Sequence, residues 1–147
     1  MVWGGVSRDY RCRLVLLDIS VSSERYIDRV LEPEVLRFFE EFPDVLLLQH
    51  DNASCHSARR TQEFLSSNGI FTLPWPDLSP DLNPIEHVWD GMKRRIQSRK
   101  PENLIDLARG ILDAWKQFPQ ETIKNLEDSM PRRIEAVIRF RGGHSGY

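Results

Sequence analysis

Two acids stand out by their positions. Asp51 follows the apolar run of residues 45–48 and lies within the polar stretch HDNASCHSA, and Glu86 comes after 34 intervening residues in LNPIEHVW. An acid at the C-terminal end of a strand sits where open α/β sheets place their ligands. Two carboxylates brought together repel unless a divalent cation lies between them, and hard oxygen donors of this kind suit Mg²⁺ or Mn²⁺. Two-metal sites hold ions about 3.5–4 Å apart, activate a water or hydroxyl, and stabilise the leaving oxygen of a phosphoryl transfer. The same residues fit plainer roles. Asn83-x-x-Glu86 has capping-box spacing, Asp51 can close an Asx-turn, and His50, His56 and His87 can be polar surface or hydrogen-bonding neighbours. A zinc hydrolase would need a His-x-x-x-His or similar ligand spacing, and the chain has none.

The elements that must position these acids can be read from periodicity. MVWGGVS and RLVLLD are short apolar runs around the polar RDYRC, which predicts a hairpin. From Ser22 to Phe42 the apolar residues Tyr26, Ile27, Val30, Leu31, Val35, Leu36, Phe38 and Phe39 keep a helical period, with Pro33 dividing the helix in two. Residues 45–48 are continuously apolar, as strands buried on both faces are. Ala58, Thr61, Phe64 and Leu65 then share a helical face that stops at Gly69, and IFTL can be a further strand. Pro74, Pro76, Pro80 and Pro84 impose a stiff loop, after which Asn83 is a good N-cap and Pro84 suits the first helical position. Ile85, Val88, Trp89, Met92 and Ile96 make the apolar stripe of that helix. Three proline-led periodic stretches follow, so the C-terminal third should be short helices. The order ββ, α, β, α, β, then helices predicts an α/β fold with a mixed sheet.

Composition bounds the rest. A chain of 147 residues, 40% apolar and 29% charged, favours one compact domain spanning residues 1–147. The net charge of −2 excludes a protein basic all over, so any nucleic-acid surface must be a local patch. Lys93, Arg94, Arg95, Arg99 and Lys100 form such a patch, and Lys93 and Arg94 fall seven and eight residues after Glu86, on nearly the same helical face. A solvated helix face is the alternative. Arg132, Arg133, Arg139 and Arg141 are a second, weaker cluster, and Trp75, Trp89 and Trp115 fit packing better than base stacking. Cys12 and Cys55 have neither disulfide-framework nor metal-site spacing, and no signal peptide or 18-residue apolar segment occurs, which favours a reducing intracellular compartment.

HDNASCHSA followed by LPWPDLSPDLNPIEHVWDGMKRRI resembles the catalytic core of mariner-type (Tc/mariner superfamily) transposases, DDE superfamily endonucleases. The likeness extends to MVWGGVS and to the terminal GGHSGY. It implies a ribonuclease H-like mixed sheet flanked by helices, in which three acids bind two Mg²⁺ (or Mn²⁺) ions and catalyse DNA strand cleavage and joining. By motif position Asp51 matches the second acid and Glu86 the third, Asn52 and His56 accompany the second acid, and Pro84 and Trp89 frame the third. DNA, as transposon ends and target, is the implied partner, with no membrane, a nuclear location, and a homodimer as an assembly the family allows.

The resemblance also implies a first acid on a central strand upstream of these residues, and helix-turn-helix DNA-binding regions further upstream. The expectation is therefore a partial catalytic domain that lacks its central strand and does not cleave DNA as it stands. Asp18, at the end of LVLLD, is the tempting substitute. Strands about 4.8 Å apart would leave its edge strand roughly 10–14 Å from that of Asp51, too far for ions about 4 Å apart. The rival expectation is a catalytically dead remnant that binds DNA or protein; a third acid near Asp51 would discriminate the two.

Overall fold

In the computed structural model, residues 1–17, 20–76 and 79–141 are described, so the expectations for Asp18 and for GGHSGY lie outside the described residues. The chain divides into two compact units, Met1–Gly5 with Cys12–Leu78, and Val6–Arg11 with Ser79–Tyr147.

In the first unit the predicted hairpin forms: β1 (Val2–Trp3) pairs antiparallel with β2 (Val15–Leu16). A second pair is parallel, β3 (Leu47–Leu48) with β4 (Phe71–Thr72). Both antiparallel and parallel pairing are present, in two separate two-stranded sheets among the described residues. One expectation is corrected. Residues 45–48 are not buried on both faces, because Leu48 packs on the core while Leu47 is 54% exposed and its register partner Phe71 is 70% exposed. Side chains alternate across a strand, and no layer covers the outward side of this pair among the described residues.

The long helical stretch starts at Ser22, whose hydroxyl accepts from the Arg25 N–H, and runs through α1 (Ser23–Tyr26) and a π-wound segment (Ile27–Leu36) into α2 (Arg37–Glu41). Pro33 lies inside the π segment. Its missing N–H and bulky ring change the winding instead of dividing the helix as predicted. Tyr26, Ile27, Val30, Leu31 and Val35 form the core with Leu65 and Ile70. The last two flank the end of α4 (Arg59–Ser67), which follows the short α3 (Ser54–Ser57). Gly69 stops α4 at a φ of +69°, a conformation glycine takes without strain. Both cysteines are free thiols, and burial pushes that of Cys12 up to about 12.

The second unit is helical: α5 (Pro84–Arg99), α6 (Leu104–Gln117), α7 (Gln120–Asp128) and α8 (Met130–Arg139), preceded by a 3₁₀ turn at Pro80–Leu82. Val88 and Met92 of α5 are buried, as are Ala114, Trp115, Phe118 and Ile123. Residues 6–11 dock here. The Arg11 guanidinium donates to the carbonyls of Trp115, Lys116 and Phe118 at 2.7–3.1 Å, satisfying the open end of α6. Gln120 Nε2 in turn donates to the carbonyls of Ser7, Arg8 and Tyr10. Among the described residues no helix is long and apolar enough to cross a membrane.

Gly91 sits mid-helix in α5, where glycine costs about 1 kcal/mol relative to alanine. A Cβ there would lie 2.7 Å from Cε2 of the buried Phe118 ring, so the close approach of α5 requires it. Gly91→Ala is expected to lower stability by about 1 kcal/mol, overpacking of about 1–3 kcal/mol outweighing the gain in helix propensity, as read by urea unfolding. In the first unit, Thr61 is fully buried and its hydroxyl donates to the Cys55 carbonyl at 2.6 Å. Thr61→Val keeps the shape but strands that carbonyl, and a loss of about 1–3 kcal/mol is expected in the same measurement.

Candidate active site

Asp51 lies three residues beyond β3, and its environment is built from residues 26–62. Its Oδ1 accepts from the Ala53 N–H at 3.0 Å, closing the Asx-turn, and lies 2.7 Å from His56 Nδ1. Oδ2 has no hydrogen-bond partner among the described residues, and the side chain is 64% exposed. One oxygen is therefore fixed by the protein and the other faces solvent. The turn geometry and an open carboxylate coexist; neither excludes the other.

His56 is held on several sides. Its ring stacks on His50 at 4.7 Å and 8° and tilts against Tyr26 at 4.6 Å, while Gln62 Nε2 donates to its backbone carbonyl at 2.8 Å. Thr61 fixes the preceding carbonyl of Cys55. The imidazole that meets Asp51 thus has little freedom to rotate away. His50 is half-buried against it, and desolvation first, then the neighbouring His56, lower its pKa to about 4, so it is neutral near pH 7. The Asn52 Nδ2 donates to the Trp75 carbonyl at 3.0 Å and ties the Asp51 loop to the proline-rich segment.

Glu86 stands in the first turn of α5 and is exposed. The Asn83 N–H donates to the Pro80 carbonyl at 3.0 Å, and Asn83 caps the helix by accepting from the Ile85 N–H. Pro84 takes the first helical position as predicted, and Trp89 stacks on Trp115 at 5.6 Å, a packing role.

The basic residues of α5 differ among themselves. Arg95 donates to the Gln117 carbonyl and lies over the Phe118 ring, and Arg99 pairs with Asp113 at 3.3 Å. Arg94 meets Asp90 one turn back at 3.5 Å, with both side chains about 70% exposed, a pairing too weak to withdraw the charge from solution. Lys93 and Lys100 are exposed. Arg133, grouped by sequence with the second basic cluster, is instead 3% exposed and belongs to the interior.

Three residues near the acids were not legible as such: Tyr26 and His50, which wall the His56 ring, and Arg133, which reaches His87 and the Asp81 carbonyl. The signal for Tyr26 was its place in the helical apolar period, and for His50 its position next to Asp51. The donor chemistry of Asp51 and Glu86, two exposed residues with carboxylate oxygens and no thiolate, fits a hard divalent cation. Among the described residues no group of three or more His, Cys, Asp or Glu is placed to hold a metal.

Residues 19–108 match the family model described as DDE superfamily endonuclease. The transposable element Tc3 transposase of Caenorhabditis elegans is 33% identical over the whole chain, and the Tc1 transposase of the same organism is 37% identical over 69% of it. The chain spans 45% of the first and 37% of the second, less than half the length of either. Among solved structures, the Mos1 transposase catalytic domain with Raltegravir and Mg is similar over 97% of this chain and 75% of that one, with a TM-score of 0.81 at 20% identity. The Mos1 paired-end complex with the left transposon end gives 0.84 over 97% of this chain and 44% of that one at 18% identity. These likenesses give the fold, the mixed α/β ribonuclease H-like class predicted from the sequence. With the family model covering more than half its length, the chain belongs to the DDE superfamily endonucleases.

Proposed function

We propose that these residues form part of a catalytic domain that hydrolyses DNA phosphodiesters at transposon ends and then joins the freed 3′ hydroxyl to target DNA, in the nucleus. The observation that carries the proposal is the Asp51 carboxylate, with Oδ1 pinned by His56 and the Ala53 N–H and Oδ2 open to solvent. A carboxylate prepared in this way costs little reorganisation when it takes a cation. Asp51 and Glu86 would hold Mg²⁺ or Mn²⁺, in keeping with the Mos1 catalytic domain having been solved with each. A bound divalent ion would supply activation of the attacking oxygen and charge stabilisation at the leaving one. His56 keeps the Asp51 carboxylate in one orientation, and the Asn52 bond to Trp75 keeps its loop in place. On α5, Lys93 and Arg94 offer exposed positive charge to a phosphate backbone, with Lys100 near its end and Arg95 and Arg99 partly occupied within the unit. The Mos1 structure with a transposon end is the likeness that supports DNA as the partner. A homodimer is part of the same proposal.

Metal binding is tested by titrating the 147-residue chain with Mn²⁺ and reading the free ion by electron paramagnetic resonance. Asp51→Asn and Glu86→Gln are each expected to weaken binding strongly, and His56→Ala by about tenfold, as outer-shell changes do. Affinity that none of the three changes would remove these acids from the site. With two acids in the proposed site, the same chain is expected to hold the cation without nicking DNA. Robust nicking that disappears in Asp51→Ala would place the third acid among the residues present.

DNA binding is tested by the salt dependence of affinity for duplex DNA. Replacing Lys93 and Arg94 by alanine should weaken binding and reduce the log–log slope by about one to two units. An unchanged slope would make that face of α5 ordinary solvated surface.

A further inference from the structure

Arg133 of α8 is the only charged side chain in the buried class among the described residues, at 3% exposure. Its guanidinium makes directed contacts to three acceptors among the described residues of the second unit. Nε donates to Ser129 Oγ at 2.8 Å, and Nη1 donates to the Asp81 carbonyl at 2.9 Å and to His87 Nε2. Arginine has no acceptor, so His87 Nε2 must accept, which makes the imidazole neutral with its proton on Nδ1.

The placement of the two α5-side contacts matters. Asp81 belongs to the 3₁₀ turn that leads into α5, five residues before Glu86, and His87 follows Glu86 directly. One rigid, planar group therefore grips the chain on both sides of Glu86. A buried ion adds little net stability over an apolar side chain of similar size, so what the guanidinium contributes here is direction. A lysine offers a single point charge on a flexible stem and cannot span the three acceptors in the same geometry.

We propose that Arg133 is a positioning residue for the Glu86 carboxylate, acting through Asp81 and His87, so that α8 is part of the frame of that acid. The proposal rests on the reading of Glu86 as a metal-binding acid. It is tested on the ¹⁵N-labelled 147-residue chain by two readouts: backbone order parameters over residues 81–88, and Mn²⁺ affinity followed by paramagnetic broadening at Glu86. In Arg133→Met and Arg133→Lys the order parameter at Glu86 is expected to fall from about 0.85 toward 0.6, with residues 93–96 unchanged. Mn²⁺ affinity should fall about tenfold in both, whatever happens to the melting temperature, as loss of outer-shell support of a ligand does. A folded Arg133→Met with unchanged order at Glu86 and unchanged affinity overturns the proposal. If neither Arg133 variant folds, Ser129→Ala removes the Nε anchor alone; a smaller loss confined to residues 81–88 supports the proposal and no change there overturns it. If Mn²⁺ fails to broaden Glu86 in the parent chain, the metal-binding reading falls, and the order parameters still decide whether Arg133 positions Glu86.

Discussion

The first unit is organised around the contact between His56 and one oxygen of Asp51. A carboxylate whose oxygens are all engaged by the protein has nothing left for a cation, and one that swings freely must be ordered each time a cation binds. Engaging a single oxygen avoids both. The contact in turn depends on the His56 ring staying in place, which is why the π-stacked His50, the tilted Tyr26 and the bonds from Gln62 and Thr61 all fall on the same few residues. Tyr26 is also a core residue, so the hydrophobic packing of the long helix and the orientation of the acid are linked through one side chain.

The second unit solves a related problem with other means. Glu86 is borne on a helix whose start is defined by Pro84 and the Asn83 cap, and whose flank is held close to Phe118 by Gly91. Arg95 contributes to the same packing, bonded to the Gln117 carbonyl and lying over Phe118. Basic residues on one helix therefore divide between those that build the unit and those that face solution, a division that charge counting alone cannot make.

Much of this was legible beforehand, and the failures have physical causes. The hairpin, the strand before Asp51, the helix after Asn83 and the proline-led helices follow from periodicity and from the restricted chemistry of Pro, Gly and Asn, which act locally. Pro33 was misjudged as a divider because its cost depends on whether the helix can rewind around it, which is set by the core under Val30 and Leu31. Residues 45–48 were expected to be buried on both faces because apolar runs report hydrophobicity and not whether a layer covers them. The role of Arg133 was hidden for a similar reason: a buried guanidinium and a solvated one are the same letter, and only its tertiary partners, Asp81 and His87, tell them apart.

The outward face of the β3–β4 pair has a consequence for handling these residues in solution. Leu47, Phe71 and Leu73 lie on it, and Leu46 beside it is 72% exposed, on a pair of strands whose outer edges are unpaired among the described residues. Apolar side chains next to open backbone donors and acceptors are a template for further strand pairing. Self-association that grows with concentration is the expected consequence, and a charged residue at position 47 or 71 would raise solubility without touching the Asp51 loop.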